Sequence, residues 1–237
     1  MSEEDDAQQA RQRIIDARLR LRERFLDKMQ QTPGIANERP LGSGPPNRHG
    51  MPKLPVGQTP TAPGKWPVLD LGHSPRITLA EWRLQVDGEC RHPLVLDWQA
   101  LMDLEQVKLD ADFHCVTGWS KLDIAWKGVR LSTVIALADP TEAARFVIFH
   151  GYDNYTTNLP LEEALKDDVL LAHTAEGLPL PREHGGPVRV ITPQLYAWKG
   201  AKWIRRLELT VLDRPGLWET NGYSNTAHPW RNDRYRR

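Results

Sequence analysis

The chain has 237 residues, and its 31 Lys plus Arg balance 31 Asp plus Glu, so its formal net charge is zero. This length permits one large domain or two small ones, and the balanced charge gives no reason to expect nucleic acid or an anionic membrane as partner. Two cysteines, Cys90 and Cys115, are too few for a disulfide framework and favour a reducing compartment. Nine tryptophans favour built pockets and interfaces, because indole needs both an apolar wall and a partner for its N–H.

Residues 1–31 predict one amphipathic helix. Ile14, Leu21, Phe25 and Met29 recur at spacings of seven, four and four and form one apolar stripe. We expect this stripe to pack on the main domain or on a second chain, because the polar face mixes both charge signs and does not suit a membrane surface. The chain shows no signal peptide and no run of the roughly 20 apolar residues that a membrane helix needs. A soluble, cytoplasmic protein without membrane insertion is therefore expected.

Residues 32–65 form a Pro/Gly-rich segment, with eight prolines and six glycines. This composition predicts an extended arm without regular structure. Two interpretations stay open, since the arm could be disordered or could wrap the domain and reach a site.

Residues 66–230 predict a mixed α+β domain that is rich in strands. Residues 81–89 alternate apolar and polar and end near Asp87-Gly88, a hairpin signal, and residues 107–113 alternate again. Further strands are expected at 145–150, 155–159, 169–173, 187–192 and 203–212, with short helices at 98–104, 132–138 and 161–166. Because no steady βαβ alternation is present, a mixed fold is favoured over a doubly wound one. Residues 231–237 are expected to form a basic tail.

Cys115 is the main candidate for chemistry, because it follows an apolar strand and precedes a polar, tryptophan-containing turn. Common nucleotide-binding, zinc-protease and serine-hydrolase motifs are missing from the sequence. Three chemistries stay open besides a buried structural cysteine. Cys115 could be a nucleophile with a histidine base, a zinc ligand with His114, His150 or His184, or a thiolate ligand to a metal carried by a cofactor.

A second candidate feature is the basic, glycine-containing segment 178–203. Its cations surround Gly185-Gly186 and Gly200, and they are Arg182, His184, Arg189, Lys199 and Lys202. Glycines let a ligand approach the backbone and the cations suit a phosphate, although a solvated basic loop has the same composition.

Four segments in the same order resemble the molybdopterin-binding domain of the sulfite oxidase family. They are DFHCVTGWS (112–120), HGYDNYTTNLPLEEAL (150–165), LLAHTAEGLPLPREHGGPVRVITP (170–193) and YAWKGAKWIRRLEL (196–209). The similarity covers about residues 66–230 and is greater to the bacterial sulfite-oxidase-like and methionine-sulfoxide-reductase catalytic branch, in which Cys-Val is followed by Trp-Ser. The resemblance implies the β-rich fold of that family and a molybdenum-dependent oxidoreductase.

The resemblance also implies the site residues. Cys115 matches the cysteine that gives its thiolate to molybdenum, which makes it the metal ligand and the catalytic residue. The matches to cofactor-binding positions are His184, Arg189, Gly200, Ala201, Lys202, Gly151 or Asp153, and, more loosely, Leu69 and Asp70. No matching motif lies in residues 1–31, so the helix is expected outside the cofactor site. The cofactor is expected to be Mo-molybdopterin without a dinucleotide.

The activity implied by the resemblance is two-electron oxygen-atom transfer on a small sulfite-, sulfoxide- or N-oxide-type substrate, with electrons exchanged with a one-electron carrier or redox partner. Candidate substrate-pocket residues are Trp119, Trp126, His150, Tyr155 and Tyr196. A monomer is expected, since no immunoglobulin-like dimerisation domain follows residue 230.

Two positions depart from the pattern. Gly118 stands where many relatives have an arginine near the cysteine, which weakens the case for sulfite, and Trp66 stands where the methionine-sulfoxide-reductase branch has a cofactor-contacting asparagine. Two other functions stay open. They are a non-catalytic ligand- or protein-binding module on the same fold, and a zinc hydrolase using Cys and His.

Overall fold

The computed structural model describes residues 3–30 and 40–236. Its α-helices are α1 (Glu3–Gln30), α2 (Trp98–Met102), α3 (Leu131–Ala138), α4 (Leu161–Ala164) and α5 (Leu217–Thr220). Its strands are β1 (Gly42–Pro46), β2 (Pro52–Pro55), β3 (Thr59–Pro60), β4 (Arg83–Gly88), β5 (Leu94–Asp97), β6 (Val107–Cys115), β7 (Trp119–Arg130), β8 (Phe146–Gly151), β9 (Thr156–Pro160), β10 (Leu170–Ala175), β11 (Leu178–Pro179), β12 (Arg189–Ile191) and β13 (Ile204–Thr210). The mixed, strand-rich fold with short helices and an N-terminal helix is confirmed.

A six-stranded sheet carries Cys115 at the end of one of its strands. Its main path is β11-β10-β7-β3, with β12 also pairing with β10 and β6 with β7. The long strand β7 was not predicted, since the sequence was expected to form a tryptophan-containing turn after Cys115 and no strand was assigned to residues 119–130. Ile124 and Trp126 of β7 are buried with Leu109 of β6 under this sheet, and the two strands form an antiparallel hairpin whose turn follows Cys115.

A five-stranded sheet of order β5-β4-β13-β8-β9 contains the predicted β4–β5 hairpin. Its strands are antiparallel apart from β4 and β13, which run parallel. Alternate residues such as Leu84, Phe149 and Leu207 point to one face and join a large apolar cluster with helix α3. Burial of this cluster fixes the loops between the two sheets.

Helix α1 packs on the domain with a face that differs from the predicted stripe. Ile15 is buried, and Ile14 and Phe25 pack against the main core. Leu21, which was predicted to belong to the stripe, is 38% exposed. The side chain of Met29 lies outside the described residues.

The Pro/Gly-rich segment is structured where the structure describes it, so the prediction of no regular structure was wrong for residues 40–65. Strands β1 and β2 pair as a hairpin, and β3 adds to the six-stranded sheet beside Trp119 and Ser120. Prolines are compatible with these positions because edge strands do not need every backbone N–H. Residues 32–39 lie outside the described part of the chain.

Residues 231–236 pack into the domain instead of forming a separate tail. Arg234 is buried, and its guanidinium donates to the carbonyl oxygens of Val116 and Gly57. Tyr235 is buried against Phe25 and Tyr223. In the described residues, no helix has the length and apolar character to cross a membrane.

Candidate functional site

One cleft brings together four separate parts of the chain. It has an empty volume of about 830 Å³ out to its open mouth. The residues that line it come from α1, from segment 66–71, from the β6–β7 turn and from the C-terminal half of the domain. They are Arg18, Trp66, Pro67, Leu69, Asp70, Leu71, Phe113, Cys115, Val116, Thr117, Trp119, Asp153, Tyr155, His184, Arg189, Ala197, Trp198, Gly200, Lys202, Trp203, Trp218 and Tyr223.

Cys115 is held at one end of this cleft by the β6–β7 turn. Gly118 donates its backbone N–H to the Cys115 carbonyl and takes a φ of 100°, a conformation that favours glycine. Gln58, which follows strand β2 in the Pro/Gly-rich segment, also donates to the Cys115 carbonyl, at 3.0 Å. The Cys115 sulfur lies 3.2 Å from Thr117 Oγ1. Burial raises the pKa of the thiol, while Arg18 and Arg234 act in the opposite direction.

The cleft also contains two cations, of which Arg189 is buried and Lys202 is partly buried. Arg189 is almost completely buried, and burial lowers its pKa to about 10, so it stays charged at neutral pH. Burial, helped by Arg189, lowers the pKa of Lys202 to about 8. The pKa of His184 is lowered to about 4 by burial and by both cations, so its imidazole is neutral at pH 7.

Arg189 also braces the loops that form the cleft wall. Its Nη1 donates to His184 O at 2.9 Å, its Nη2 to Gly200 O at 3.1 Å and its Nε to Val190 O at 3.3 Å. A guanidinium has five N–H groups, so two remain for an anion in the cleft. Arg189 is therefore not an exposed residue of a solvated basic loop, because its side chain is almost completely buried.

Close backbone approach explains two of the glycines here. A Cβ on Gly200 would lie 2.5 Å from Val190 O. A Cβ on Gly185, which has a φ of 105°, would lie 2.9 Å from Lys202 Cβ. Lys202 Nζ donates to Glu183 O at 2.5 Å, so the ammonium holds the loop that carries His184.

Aromatic side chains form the wall between the two ends. Trp66 stacks on His184 with ring centroids 3.8 Å apart and an interplanar angle of 11°. Phe113 stacks on Trp119 at 5.8 Å, and the Arg189 guanidinium lies 4.9 Å from the Phe113 ring. The cleft therefore combines flat apolar surfaces with a cationic end, as a flat ring system with an anionic group requires.

The structure brings most of the predicted site residues to the cleft. Those that line it are Cys115, His184, Arg189, Gly200, Lys202, Asp153, Leu69, Asp70, Trp119 and Tyr155. Asp153 lines the cleft in place of the alternative Gly151, which lies behind it with no room for a Cβ beside Lys202 O. Burial raises the pKa of the Asp153 carboxyl.

Other predicted residues lie away from the cleft wall. Ala201 is buried and accepts the Val190 N–H. Trp126 is buried behind Trp66 and Phe113, and Tyr196 is buried behind Trp198. His150 lies on β8 and contacts Glu208 at 2.9 Å. We therefore leave Trp126, His150 and Tyr196 out of the pocket.

The five cations of the basic segment 178–203 also differ in whether they face the cleft. Arg182 is exposed and Lys199 is fully buried in an ion pair with Glu219, so only His184, Arg189 and Lys202 of the five predicted cations face the cleft.

The zinc alternative is wrong for the part of the chain that the structure describes. There, no group of three or more His, Cys, Asp or Glu side chains could hold a metal ion. His114 faces Ser120 at 2.8 Å, on the opposite side of β6 from Cys115. A Cys–His nucleophile pair finds no support either, because the Cys115 sulfur contacts Thr117 and His184 stacks on Trp66.

Several cleft residues were missed by the sequence analysis. The most important is Arg18 of α1, which lines the cleft although no family motif lies in residues 1–31. Phe113, Trp198, Trp218 and Tyr223 also line the cleft. The tryptophan count indicated a built pocket, but nothing in the sequence indicated which indoles form it.

Comparison with known proteins identifies the family. The family model "Oxidoreductase molybdopterin binding domain" matches residues 71–218. "Uncharacterized oxidoreductase YuiH" of Bacillus subtilis (strain 168) is 41% identical over 184 residues, which are 77% of this chain and 92% of that protein. The catalytic subunit of protein-methionine-sulfoxide reductase, MsrP, of Burkholderia mallei is 33% identical over 155 residues, covering 59% of this chain and 46% of that protein.

More distant proteins match smaller shares of their own length. The NADPH nitrate reductase of Fusarium oxysporum is 26% identical over 168 residues, covering 59% of this chain and 19% of that protein. The crystal structure of the sulfane dehydrogenase SoxCD from Paracoccus pantotrophus superposes with a TM-score of 0.57 at 22% identity, covering 64% of this chain and 43% of that one. At this identity the last match shows the fold.

The residues of the cleft fit the cofactor of this family. The Cys115 sulfur suits a soft metal, and buried Arg189 together with partly buried Lys202 suits a phosphate. The alternative of a non-catalytic binding module is set aside. The chain belongs to the oxidoreductase molybdopterin-binding domain family, and it is an oxidoreductase that uses molybdenum-molybdopterin.

Proposed function

We propose that the chain carries out two-electron oxygen-atom transfer on a small sulfite-, sulfoxide- or N-oxide-type substrate, with Cys115 as the thiolate ligand of molybdenum. The observation that supports this most is the position of the Cys115 sulfur, which lines the same cleft as Arg189, Lys202 and His184. When bound, the cofactor supplies the two-electron redox chemistry at the metal.

The chain's own residues bind and orient the cofactor. We propose that Arg189, with its two remaining N–H groups, and Lys202 hold the phosphate. Neutral His184 is fixed by its stack on Trp66 and can offer one ring nitrogen to the pterin. The walls Trp66, Phe113 and Trp203 exclude water from the ring system. Among the positions that match the family's cofactor-binding residues, Asp153, Leu69, Asp70 and Gly200 also line the cleft and are proposed to contact the cofactor.

The half of the cleft near Cys115 is proposed as the substrate pocket. Trp119 and Tyr155 line it, as predicted from the sequence, together with Trp198, Trp218 and Tyr223. Burial holds the pKa of Tyr155 well above its usual value, so the phenol stays protonated, and its hydroxyl donates to Trp198 O at 2.5 Å. Tyr155 therefore positions Trp198 and is not a free acid.

Oxygen-atom transfer moves two electrons at once, whereas the proposed partner is a one-electron carrier or redox partner. The two electrons are therefore proposed to pass between the metal and this partner one at a time. A cytoplasmic location, a monomeric state and a cofactor without a dinucleotide also stay predictions. Fractionation, size-exclusion chromatography and mass spectrometry of the released pterin test them.

The experiment that tests the proposal compares Cys115→Ser with the matched control Cys90→Ser. Cys90 is the other free cysteine and lies at a surface turn beside Pro140, away from the cleft. Purified proteins are analysed for molybdenum and pterin and then assayed with sulfite, a sulfoxide and an N-oxide and an artificial electron carrier. We expect Cys115→Ser to fold and lose turnover, because an alkoxide is a harder ligand than a thiolate, while Cys90→Ser stays active. A fully active Cys115→Ser enzyme would overturn the ligand assignment.

A further inference from the structure

One face of helix α1 carries arginines toward the cleft. Arg18 lines the cleft itself. Two turns before Arg18, Arg11 acts electrostatically on Asp153. One turn after Arg18, the Arg22 guanidinium lies about 3.0 Å from the position that a Cβ on Gly222 would occupy. Phe25 packs on Tyr235 at the far end of this face. The spacing of 11, 18, 22 and 25 puts these side chains on one side of the helix, so α1 lies across the cleft as a cap.

Arg18 reaches the Cys115 end of the cleft. Arg18 lines the same cleft as Cys115, and its charge opposes the burial that raises the pKa of the Tyr223 and Tyr235 phenols, so Arg18 lies near both rings. Arg18 is partly buried, yet within residues 3–30 and 40–236 its guanidinium has no hydrogen bond or ion pair. A half-buried cation without a partner is costly, which points to an anion as its partner in the working enzyme.

Tyr223 provides a second, independent observation at the same place. This tyrosine is 1% exposed and lines the cleft, and its hydroxyl has no hydrogen-bond partner in the described part of the chain. Buried hydroxyls are nearly always paired. Its ring is fixed by Trp218 at 5.0 Å, Trp198 at 5.2 Å and Tyr235 at 5.1 Å, so the hydroxyl cannot turn away easily. A hydrogen-bond donor without a partner is therefore fixed in the cleft that contains Cys115.

We propose that Arg18 and Tyr223 form the specificity subsite for the substrate, and that the substrate carries a negative charge close to its reacting atom. The Arg18 guanidinium binds the charged oxygen, and the Tyr223 hydroxyl donates to a second oxygen. Helix α1, which packs on the domain through Ile15 and Phe25, then completes this pocket with Arg18. This inference rests on the proposed function, because it places the substrate at the Cys115 end of the cofactor cleft.

The test uses the purified holoenzyme with Arg18→Gln, which keeps a hydrogen-bond donor and removes the charge. The matched control is Arg20→Gln, since Arg20 is exposed on another face of α1. Binding of sulfate is measured by quenching of tryptophan fluorescence, because Trp119, Trp198 and Trp218 line the cleft. We expect Arg18→Gln to weaken sulfate binding about tenfold or more and Tyr223→Phe to weaken it about threefold, while Arg20→Gln has no effect.

Turnover gives a second readout. With an artificial electron carrier, Arg18→Gln should raise the KM of the enzyme for sulfite about tenfold and that for the neutral dimethyl sulfoxide less than twofold, and molybdenum content should stay at the wild-type value.

Three results would overturn the inference. They are absence of sulfate binding by the wild-type holoenzyme, equal sulfate affinity in Arg18→Gln and wild type, and loss of molybdenum in Arg18→Gln, which would make Arg18 a cofactor anchor. Failure of the proposed function gives a different result, namely wild-type protein without molybdenum or without turnover. The sulfate titration still decides whether Arg18 and Tyr223 bind an anion.

Discussion

Replacing Glu219 by Gln tests how a buried ion pair shapes the wall of the cleft. Glu219 on α5 is fully buried, and its Oε1 accepts from Lys199 Nζ at 2.7 Å, Thr157 Oγ1 at 2.9 Å and Trp198 Nε1 at 3.0 Å. Lys199 is fully buried too, and burial lowers its pKa. Because Trp198 lines the cleft, this pair connects the stability of the domain to the shape of the pocket.

The size of the effect follows from what Gln can replace. The amide oxygen of Gln can still accept from Thr157 and Trp198, and Lys199 keeps its bonds to the Asn158 backbone and side-chain oxygens at 3.1 and 3.0 Å. What is lost is the charge that compensates the buried ammonium. Breaking a buried pair by removing one partner costs about 3–5 kcal/mol, and we expect the lower end, about 3 kcal/mol. For a domain of this size, the loss corresponds to a fall in Tm of roughly 6–12 °C.

The assay is urea and thermal denaturation of Glu219→Gln, Lys199→Met and the double variant, with molybdenum content measured in parallel. The double variant removes both charges, and we expect it to recover most of the stability lost by Glu219→Gln. Glu219→Gln should also raise KM, because Trp198 loses a charged acceptor. The buried pair does not contribute the assigned energy if the free energy of unfolding of Glu219→Gln is within about 0.5 kcal/mol of the wild-type value. The same conclusion follows if the double variant is as unstable as Glu219→Gln.

Two further predictions concern the cationic end of the cleft. Arg189→Lys should reduce molybdenum content to less than half of wild type, because a lysine cannot donate to three carbonyls and also bind a phosphate. The surface control Arg145→Lys, which also loses two carbonyl contacts, should keep full molybdenum content. Equal molybdenum content in both variants would contradict the role of Arg189 as a phosphate anchor. The pKa of Lys202 is lowered to about 8, so its ammonium loses its charge as pH rises above 8. Phosphate binding to cofactor-depleted protein, measured by calorimetry, should therefore weaken up to tenfold per pH unit above 8. Lys202→Met should show no such dependence of phosphate affinity on pH.

Local alternation predicted many of the strands, and its failures have identifiable causes. Strands β6, β8 and β13 were predicted, and in β6 the signal was the alternation of apolar and polar residues. Strand β7 was missed although Leu122, Ile124 and Trp126 alternate with polar or small residues. Gly128 is needed because a Cβ there would meet the β10 backbone at Leu171 and Ala172. Such a close approach of two strands is a tertiary fact that no local pattern contains.

The candidate site could be predicted only in part, for a similar reason. Cys115, His184 and Lys202 lie in short segments whose order and spacing resemble a known family. Arg18 gives no such signal, because periodicity assigns an arginine to the polar face of a helix, while the aliphatic part of its side chain lets it lie over a cleft. The prediction for Lys199 failed in the opposite way. A lysine in a glycine-rich segment suggested a phosphate contact, but Lys199 is buried in an ion pair with Glu219 and does not face the cleft.

The division of the cleft bears on how substrates are chosen within this family. The family match spans residues 71–218 and contains Cys115 and the cations proposed for the phosphate. Arg18 and Tyr223, the unpaired polar groups at the Cys115 end, both lie outside that span. The other residues of the proposed substrate pocket, which are Trp119, Tyr155, Trp198 and Trp218, lie inside the span, so the two groups proposed to select the substrate are the ones that the family match does not contain. Substrates can then differ between relatives without change to the cofactor site, so the substrate of this chain has to be inferred from Arg18 and Tyr223, not from the names of proteins that share the central segment.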